Sequence, residues 1–265
     1  IGPHVFSTDY ILYGAKGANK AEIESLDDAR HHLKRLKAVG AFSVKSYNQP
    51  RRNQRQWVIA AAREEQMLVV PEGGSLLAMN ATMCLDGHTG IEHNLPCAPL
   101  RKDVIELFAR SGTGITPTLI VSYGGLNGEY WWYQHDRVFE KEPLRSLTPP
   151  GWLMQRARRR DAFAFDDDFE HVKVAQACRE ILRAGGHIEL GAHGQLQGLG
   201  AHWELWMLGQ GGMTPLEAIR CATFYGAWYL GLDRDLGSLA AGKIADFVVM
   251  TKNPLFTVPV GTTLD

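Results

Sequence analysis

Four polar residues stand at the ends of apolar runs in this chain of 265 residues, namely Lys45, Glu72, His93 and His193. Carboxylates and imidazoles bind divalent metals, and an imidazole also takes up and releases protons near neutral pH. Lysine is a cation, and one that closes an apolar run can simply extend its ammonium group into solvent. Chemistry at these residues requires a fold that brings the ends of their runs together.

These runs belong to a regular alternation of strands and helices. Strands are predicted to begin near Val5 to Ser7, Phe42, Leu68, Gly90, Ile115 and Ile188. The runs from Ile115 to Val121 and from His187 to Ala192 are predicted to be strands throughout. Helices lie between the strands, and one of them starts at Ser25 with a capping-box pattern. Strands that alternate with helices form parallel βαβ units, which indicates an α/β protein.

The alternation breaks between Tyr123 and about residue 167, in a segment rich in aromatic residues, prolines and charges. A long irregular insertion of this kind is typically a lid or a partner surface. Its aromatic cluster, Tyr130 to Tyr133, is predicted to pack in the core or in the lid. The basic run from Arg156 to Arg160 is predicted to be a solvated helix face rather than a nucleic-acid contact.

Composition argues against several other functions. The chain has 28 basic and 29 acidic residues, so its net charge of −1 creates no field that attracts nucleic acid or an anionic membrane. It contains no run of 18 apolar residues, so we expect a soluble protein without a membrane span, in a compartment left open. The four cysteines are scattered without a Cys-x-x-Cys pair, which argues against a zinc–thiolate site.

The most specific pattern lies in the last sixth of the chain. The stretch from Met213 to Ala218 predicts a helix that Thr214 caps and Glu217 completes as a capping box. A Gly-Ser-Leu motif and a Gly-Lys-Ile-Ala-Asp motif follow between Leu236 and Asp246, and the β-branched run from Asp246 to Thr251 is predicted to be a strand. This order resembles the closing signature of the amidohydrolase superfamily, in its imidazolonepropionase- and prolidase-like branch.

The resemblance implies an α/β fold with a (β/α)8 TIM-like barrel and a small β-sandwich. The six predicted strands would be strands three to eight, so we expect an incomplete barrel over residues 1–236 with an insertion at about 123–167. Residues 237–265 would supply the C-terminal strand of the β-sandwich. An open sheet leaves two unpaired edges. We therefore expect a missing N-terminal segment of the same polypeptide, or another piece, to complete the barrel, and a homo-oligomer is left open.

The same resemblance implies a metal site at the C-terminal ends of the strands. Lys45 corresponds to the lysine that the family carboxylates to bridge two metals, and His93 ends an Ile-Glu-His motif that supplies a ligand. Glu72 stands where the family has histidines, and His193 stands where it has an aspartate that serves as ligand and base. The expected metal ligands are therefore Lys45, Glu72, His93 and His193, with His193 also the catalytic base and zinc the expected divalent metal.

Three further residues are expected behind these ligands or beside the substrate. His202 and Glu204 resemble the family's segment after strand eight, and Tyr123 begins the insertion that would cover the substrate. The resemblance favours a metal-dependent hydrolase that cleaves an amide or cyclic amide C–N bond of a small molecule or dipeptide. The changed ligands keep a second interpretation open, a non-catalytic or repurposed barrel that binds a small ligand in its cleft.

Overall fold

Parallel strands form the frame of the protein in its computed structural model, which describes residues 6–14, 17–18, 20–47, 49–157 and 163–255. The strands within these ranges are β1 (Ile11–Tyr13), β2 (Lys20–Ala21), β3 (Ser43–Tyr47), β4 (Leu68–Pro71), β5 (Gly90–Glu92), β6 (Gly114–Thr116) and β7 (His187–Ile188). They form two parallel sheets in the orders β2-β1-β3-β4 and β5-β6-β7. A bridge between Glu72 and Glu92 joins β4 to β5. The described strands therefore follow one another in an arc, with β2 outside β1.

Helices connect these strands. They are α1 (Leu26–Ala38), α2 (Arg52–Glu65), α3 (Leu77–Asp86), α4 (Lys102–Ser111), α5 (Gly128–His135), α6 (Glu142–Leu147), α7 (Pro150–Ala157), α8 (His171–Arg183), α9 (Leu199–Gln210), α10 (Pro215–Ala222) and α11 (Phe224–Tyr229). Two predicted helix starts are confirmed by their caps. The Asp28 amide donates to the Ser25 hydroxyl at 3.0 Å before α1. Thr214 and Glu217 form the predicted capping box before α10.

The pleat of the strands separates the core from the inside of the arc. Val44 of β3 is fully buried in an apolar cluster with Leu33 of α1. Successive side chains of a strand point to opposite faces, so Lys45 faces the other way, into the arc. In β5, Ile91 is buried in a second apolar cluster, and Glu92 therefore faces the same interior as Lys45. The polar strand positions thus converge on one side of the sheets.

The first strand lies later in the chain than predicted. The prediction of a strand near Val5 to Ser7 is wrong for the residues described, because residues 6 and 7 belong to no strand, and Val5 lies outside the described ranges. The strand β1 forms instead around Leu12, which is fully buried, whereas Phe6 is 59% exposed. Burial of Leu12 therefore favours a strand at residues 11–13 over one at residues 6 and 7.

Two other strands end earlier than predicted, since their backbone groups find other partners. The strand β6 ends at Thr116 rather than Val121. Beyond it, the amides of Leu119 and Ile120 donate to a side chain of α9 instead of a neighbouring strand. The strand β7 ends at Ile188 rather than Ala192, and beyond it the Leu190 amide donates to the carbonyl of Cys221 at 3.2 Å.

The predicted strand from Asp246 to Thr251 is not formed. Phe247, Val248 and Val249 are exposed and have no strand assignment. A strand needs a neighbour for its backbone hydrogen bonds, and no segment within the described ranges pairs with this one. Residues 256–265 lie outside those ranges, so the small β-sandwich stays a prediction.

The insertion is helical rather than irregular, because it carries α5, α6 and α7. Trp132 and Tyr133 are buried against Trp203 of α9, with the two tryptophan rings stacked at 5.7 Å. This packing confirms the core position predicted for part of the aromatic cluster. Arg158 to Arg160 lie outside the described residues, so the basic run stays a prediction. Within the described ranges, each helix is too short or too polar to cross a bilayer.

Candidate active site

Glu72, directly after β4, is the meeting point of three side chains. Its Oε2 accepts a hydrogen bond from Lys45 Nζ at 2.6 Å, and its Oε1 lies 2.6 Å from His93 Nε2. The Tyr123 hydroxyl also donates to Oε1, at 2.8 Å. Burial opposes ionisation of Glu72, but the hydrogen bonds from His93 and Lys45 outweigh it and lower the pKa of this carboxyl to about 2. Glu72 is therefore an ionised carboxylate at neutral pH.

His93 and Tyr123 form a stacked pair beside Glu72. Their ring centroids are 4.2 Å apart and their planes lie within 9° of parallel. His93 has a φ of 70°, in a region that non-glycine residues rarely occupy and that costs about 1–3 kcal/mol. Asn94, fully buried, holds the backbone of Tyr123 through two hydrogen bonds, at 2.7 Å to its amide and 2.8 Å to its carbonyl. Asn94 thereby places the tyrosine against the histidine.

His193 stands at the rim of this cluster and is exposed to solvent. Its ring centroid lies 5.2 Å from that of His93, and its φ of 50° is also in the left-handed region. Its Nδ1 lies 3.3 Å from Oε1 of Gln195. Gln195 in turn donates from Nε2 to Oε1 of the buried Glu129 at 3.1 Å. His193 is therefore the member of the site that solvent and substrate reach most readily.

A second group of carboxylates faces the interior of the arc. Glu92 accepts hydrogen bonds from the hydroxyl of Tyr229 at 2.9 Å and from that of Thr116 at 3.3 Å. Glu189 is 2% exposed, and neither of its carboxyl oxygens has a hydrogen-bond partner among the described residues. Burial raises the pKa of both carboxyls, and for Glu189 the neighbouring Glu92 raises it further. Burial thus favours the protonated, uncharged form of both side chains.

The structure places His202 and Glu204 apart from Glu72. Glu204 is fully buried and accepts hydrogen bonds from the amides of Leu119 at 2.7 Å and Ile120 at 3.1 Å. Burial raises the pKa of its carboxyl to about 8, although the two amide bonds oppose the shift. Glu204 therefore supports the turn after β6. His202 instead lines a cleft outside the Glu72 cluster.

That cleft opens between the insertion and the loop that follows His193. It has a volume of about 810 Å³ and a largely apolar lining that includes Leu144, Leu147, Trp152, Leu196 and Leu199. Clefts of this size hold small organic ligands. The loop from His193 to Leu199 connects the cleft to the Glu72 cluster along the chain, and the insertion forms the opposite wall.

Glu72 and the two histidines beside it carry the kinds of oxygen and nitrogen atoms that bind a divalent cation. Glu72 offers carboxylate oxygens, His93 and His193 offer imidazole nitrogens, and the buried Nδ1 of His93 has no hydrogen-bond partner among the described residues. One carboxylate and two imidazoles form a common zinc ligand set. Within the described ranges, however, no three His, Cys, Asp or Glu side chains already surround one metal position. Lys45 and His93 instead bind Glu72 by hydrogen bonds.

Sequence reasoning missed the residues that support the site, namely Glu92, Asn94, Glu129, Glu189 and Gln195. Two of them carried a usable signal. Glu189 lies four residues before His193, and inward positions recur every second residue along a strand. Glu92 immediately precedes a predicted ligand, yet only the strand pairing shows that it faces the interior. The contact between Gln195 and Glu129 spans 66 positions, and no local pattern indicates it.

Solved structures share this fold. A Xaa-Pro dipeptidase with bound methionine in the active site matches with a TM-score of 0.63 and 18% identity, over 94% of this chain and 62% of that chain. A prolidase complexed with N-methylphosphonate-L-proline matches with a TM-score of 0.61 and 19% identity, over 89% and 54%. The bottromycin amidohydrolase gives 0.59 and 18%, over 81% and 52%. The chain therefore has the mixed α/β fold of amidohydrolase barrels and spans less than two thirds of each relative's length.

No curated protein matches the chain in sequence. A sequence model of the Amidohydrolase family matches residues 56–263, which is most of the chain. That stretch contains Glu72, His93 and His193, and Lys45 lies before it. The match confirms the superfamily resemblance of the C-terminal signature, while the narrower branch stays a prediction. This chain belongs to the Amidohydrolase family.

Proposed function

We propose that this protein is a metal-dependent hydrolase that cleaves an amide or cyclic amide C–N bond in a small molecule or dipeptide. The observation that supports this most strongly is the convergence of Lys45, His93 and Tyr123 on the carboxylate of Glu72, with His193 beside them. Glu72 and His93 directly follow β4 and β5, and Tyr123 and His193 lie in the loops after β6 and β7. Barrel enzymes place their catalytic groups on this side of the strands. Family membership supports the same reaction class.

In this proposal Glu72 and His93 hold the divalent ion, for which zinc is the metal that best fits carboxylate and imidazole ligands. The single lone pair of His193 Nε2 serves the proton transfer rather than the metal. Such an ion, when bound, supplies Lewis-acid polarisation of the scissile carbonyl and acidifies water. Lys45 has two roles open to it. As an ammonium it neutralises Glu72, and after carboxylation it becomes an oxygen ligand.

The remaining residues position the substrate and move its protons. His193 Nε2 takes a proton from the attacking water and delivers it to the leaving nitrogen, since an imidazole exchanges protons near neutral pH. Tyr123 keeps His93 and Glu72 in place, because burial and its hydrogen bond to Glu72 raise the pKa of its hydroxyl and hold it as a proton donor. The apolar cleft beside Trp152 receives an apolar side chain of the substrate.

The test combines metal analysis with turnover on a panel of dipeptides and lactams that vary in side chain. We expect at least one bound divalent ion per chain and hydrolysis of at least one panel member. We expect His93→Ala to lose both the bound ion and the hydrolysis. His135→Ala is the matched control, since His135 pairs with Asp166 on the insertion. Full turnover by metal-free protein, or by His93→Ala, would overturn the proposal.

A second function has one specific observation in its favour. Lys45 forms a partly buried ion pair with Glu72, which occupies one carboxylate oxygen that a ligand role would use. A repurposed barrel that binds a small apolar ligand in the cleft needs no metal. Unchanged metal content and unchanged ligand affinity in both His93→Ala and His193→Ala would favour this alternative over hydrolysis.

A further inference from the structure

A chain of hydrogen bonds runs from the protein interior to His193. Glu129 of α5 is fully buried, and its Oε1 accepts a hydrogen bond from Gln195 Nε2 at 3.1 Å. The other end of the same amide, Oε1 of Gln195, lies 3.3 Å from Nδ1 of His193. The exposed histidine is thus tied through one glutamine to a buried carboxylate.

The polarity of this chain follows from the orientation of the Gln195 amide. Gln195 turns its NH2 group towards Glu129, whose Oε1 accepts the hydrogen bond from Nε2. Its carbonyl oxygen then faces His193, and a carbonyl only accepts. The proton on the His193 ring must therefore sit on Nδ1, which leaves the lone pair on Nε2.

Glu129 is itself held rigidly. Its backbone amide donates to the Ile120 carbonyl at 3.0 Å, and the Ile120 amide donates to the buried Glu204 at 3.1 Å. Gly128 allows this close approach, since a Cβ there would lie 2.4 Å from the Leu119 carbonyl oxygen. The carboxylate that directs Gln195 is thus fixed by the turn after β6 and by α9.

We propose that Gln195 and Glu129 are positioning residues that hold His193 in the Nδ1–H tautomer and present the Nε2 lone pair to the reaction. The role of that lone pair in catalysis rests on the proposed function. The tautomer of His193 does not depend on the proposed function. Partners that fix a histidine tautomer in this way contribute about 10- to 100-fold to activity or metal affinity.

The test measures the His193 tautomer by nitrogen-15 NMR in the complete polypeptide, freed of metal with a chelator, at a pH where the imidazole is neutral. We expect the Nδ1–H form in the natural protein. We expect the Nε2–H form to become the major one in Gln195→Ala, and kcat to fall about 10- to 100-fold with KM unchanged. Gln176→Ala is the matched control, because Gln176 is an exposed glutamine of α8 that does not line the cleft.

A double variant separates positioning from general damage. Glu129→Gln combined with Gln195→Glu exchanges the amide and the carboxyl group. The carboxylate at position 195 then accepts from His193 Nδ1, and the NH2 group at position 129 donates to that carboxylate. We expect this exchange to restore the Nδ1–H tautomer that Gln195→Ala loses. An Nε2–H tautomer in the natural protein, or a tautomer that Gln195→Ala leaves unchanged, would overturn the inference. The predicted tautomers without any amide hydrolysis would instead count against the proposed function alone.

Discussion

His93 Nε2 lies 2.6 Å from Glu72 Oε1, although the two residues follow different strands, β4 and β5. The parallel bridge between Glu72 and Glu92 sets this distance, because it places the two strand ends side by side. Glu72 thus contacts the imidazole that follows the neighbouring strand. Its carboxylate places a negative charge at the centre of the site.

Replacement of Glu72 tests that charge. Glu72→Gln removes the negative charge and one of the two acceptor oxygens that Lys45 and His93 contact, so we expect activity to fall about 100-fold or more and the free energy of unfolding to drop by about 3 kcal/mol. Glu64→Gln is the matched control, since Glu64 forms an exposed ion pair with Arg30. Enzyme kinetics and denaturant unfolding report the two effects. Equal effects of the two variants would contradict a special role for Glu72.

The stability of metal-free protein should depend on pH through the same carboxyl. Its folded pKa of about 2 is lower than the ordinary value of 4.5, so the folded state binds fewer protons than the unfolded state between these values. This contribution is present above pH 4.5 and is lost as the pH falls towards 2. Urea unfolding of the natural protein and of Glu72→Gln should converge over this interval. Parallel curves for the two proteins would contradict the prediction.

The apolar cleft predicts substrate preference. Trp152→Ala enlarges the cleft and removes apolar contact, so we expect KM for substrates with a large apolar side chain to rise about tenfold while kcat changes little. Phe165→Ala is the control, because Phe165 belongs to the same insertion but is exposed and does not line the cleft. Steady-state kinetics on matched dipeptides check this. An unchanged KM in Trp152→Ala would exclude the cleft from substrate binding.

Replacement of Glu204 should lower the stability of the fold without a direct effect on metal binding. Glu204→Gln leaves one of the two backbone amides of Leu119 and Ile120 without its carboxylate acceptor, which costs about 1–3 kcal/mol for a buried group. Thermal unfolding should show a lower Tm. The metal content of the folded variant should stay unchanged, since Glu204 does not contact Glu72. Loss of metal at full stability would contradict this assignment.

Gly90 packs closely against the ring of Tyr229 at the interior of the arc. A Cβ at this position would lie 2.0 Å from the ring of Tyr229, and a buried ring has little room to move. Gly90→Ala should therefore destabilise the protein by about 1–3 kcal/mol. Gly151→Ala in α7, where a Cβ meets no atom within 4 Å, should be neutral or slightly stabilising. Denaturant unfolding of the two variants measures the difference.

The parts of the fold that the sequence predicts well are set by local interactions. The caps at Ser25 and Thr214 involve residues three positions apart, so the helix starts are readable from the chain. Strand ends depend on distant partners. The predicted strand to Val121 ends early because Glu204 takes the backbone amides of the turn, and nothing near Val121 in sequence indicates that contact.

The candidate site divides in the same way. Glu72 and His93 follow apolar runs, which a reader of the sequence can recognise, and the structure brings both to one place. Gln195 and Glu129 meet across 66 positions, so only the three-dimensional fold relates them. The inward direction of Glu189 also depends on the pairing of β6 with β7.

The central claim is that the groups around Glu72 form a metal-dependent hydrolytic site. The most direct measurement is the rate of dipeptide hydrolysis by chelator-treated protein before and after Zn²⁺ is returned, with bound zinc counted in the same samples. We expect little turnover without metal, recovery in proportion to bound zinc, and neither binding nor recovery in His93→Ala. Turnover that persists without metal, or zinc binding that His93→Ala leaves intact, would contradict a metal-dependent site around Glu72.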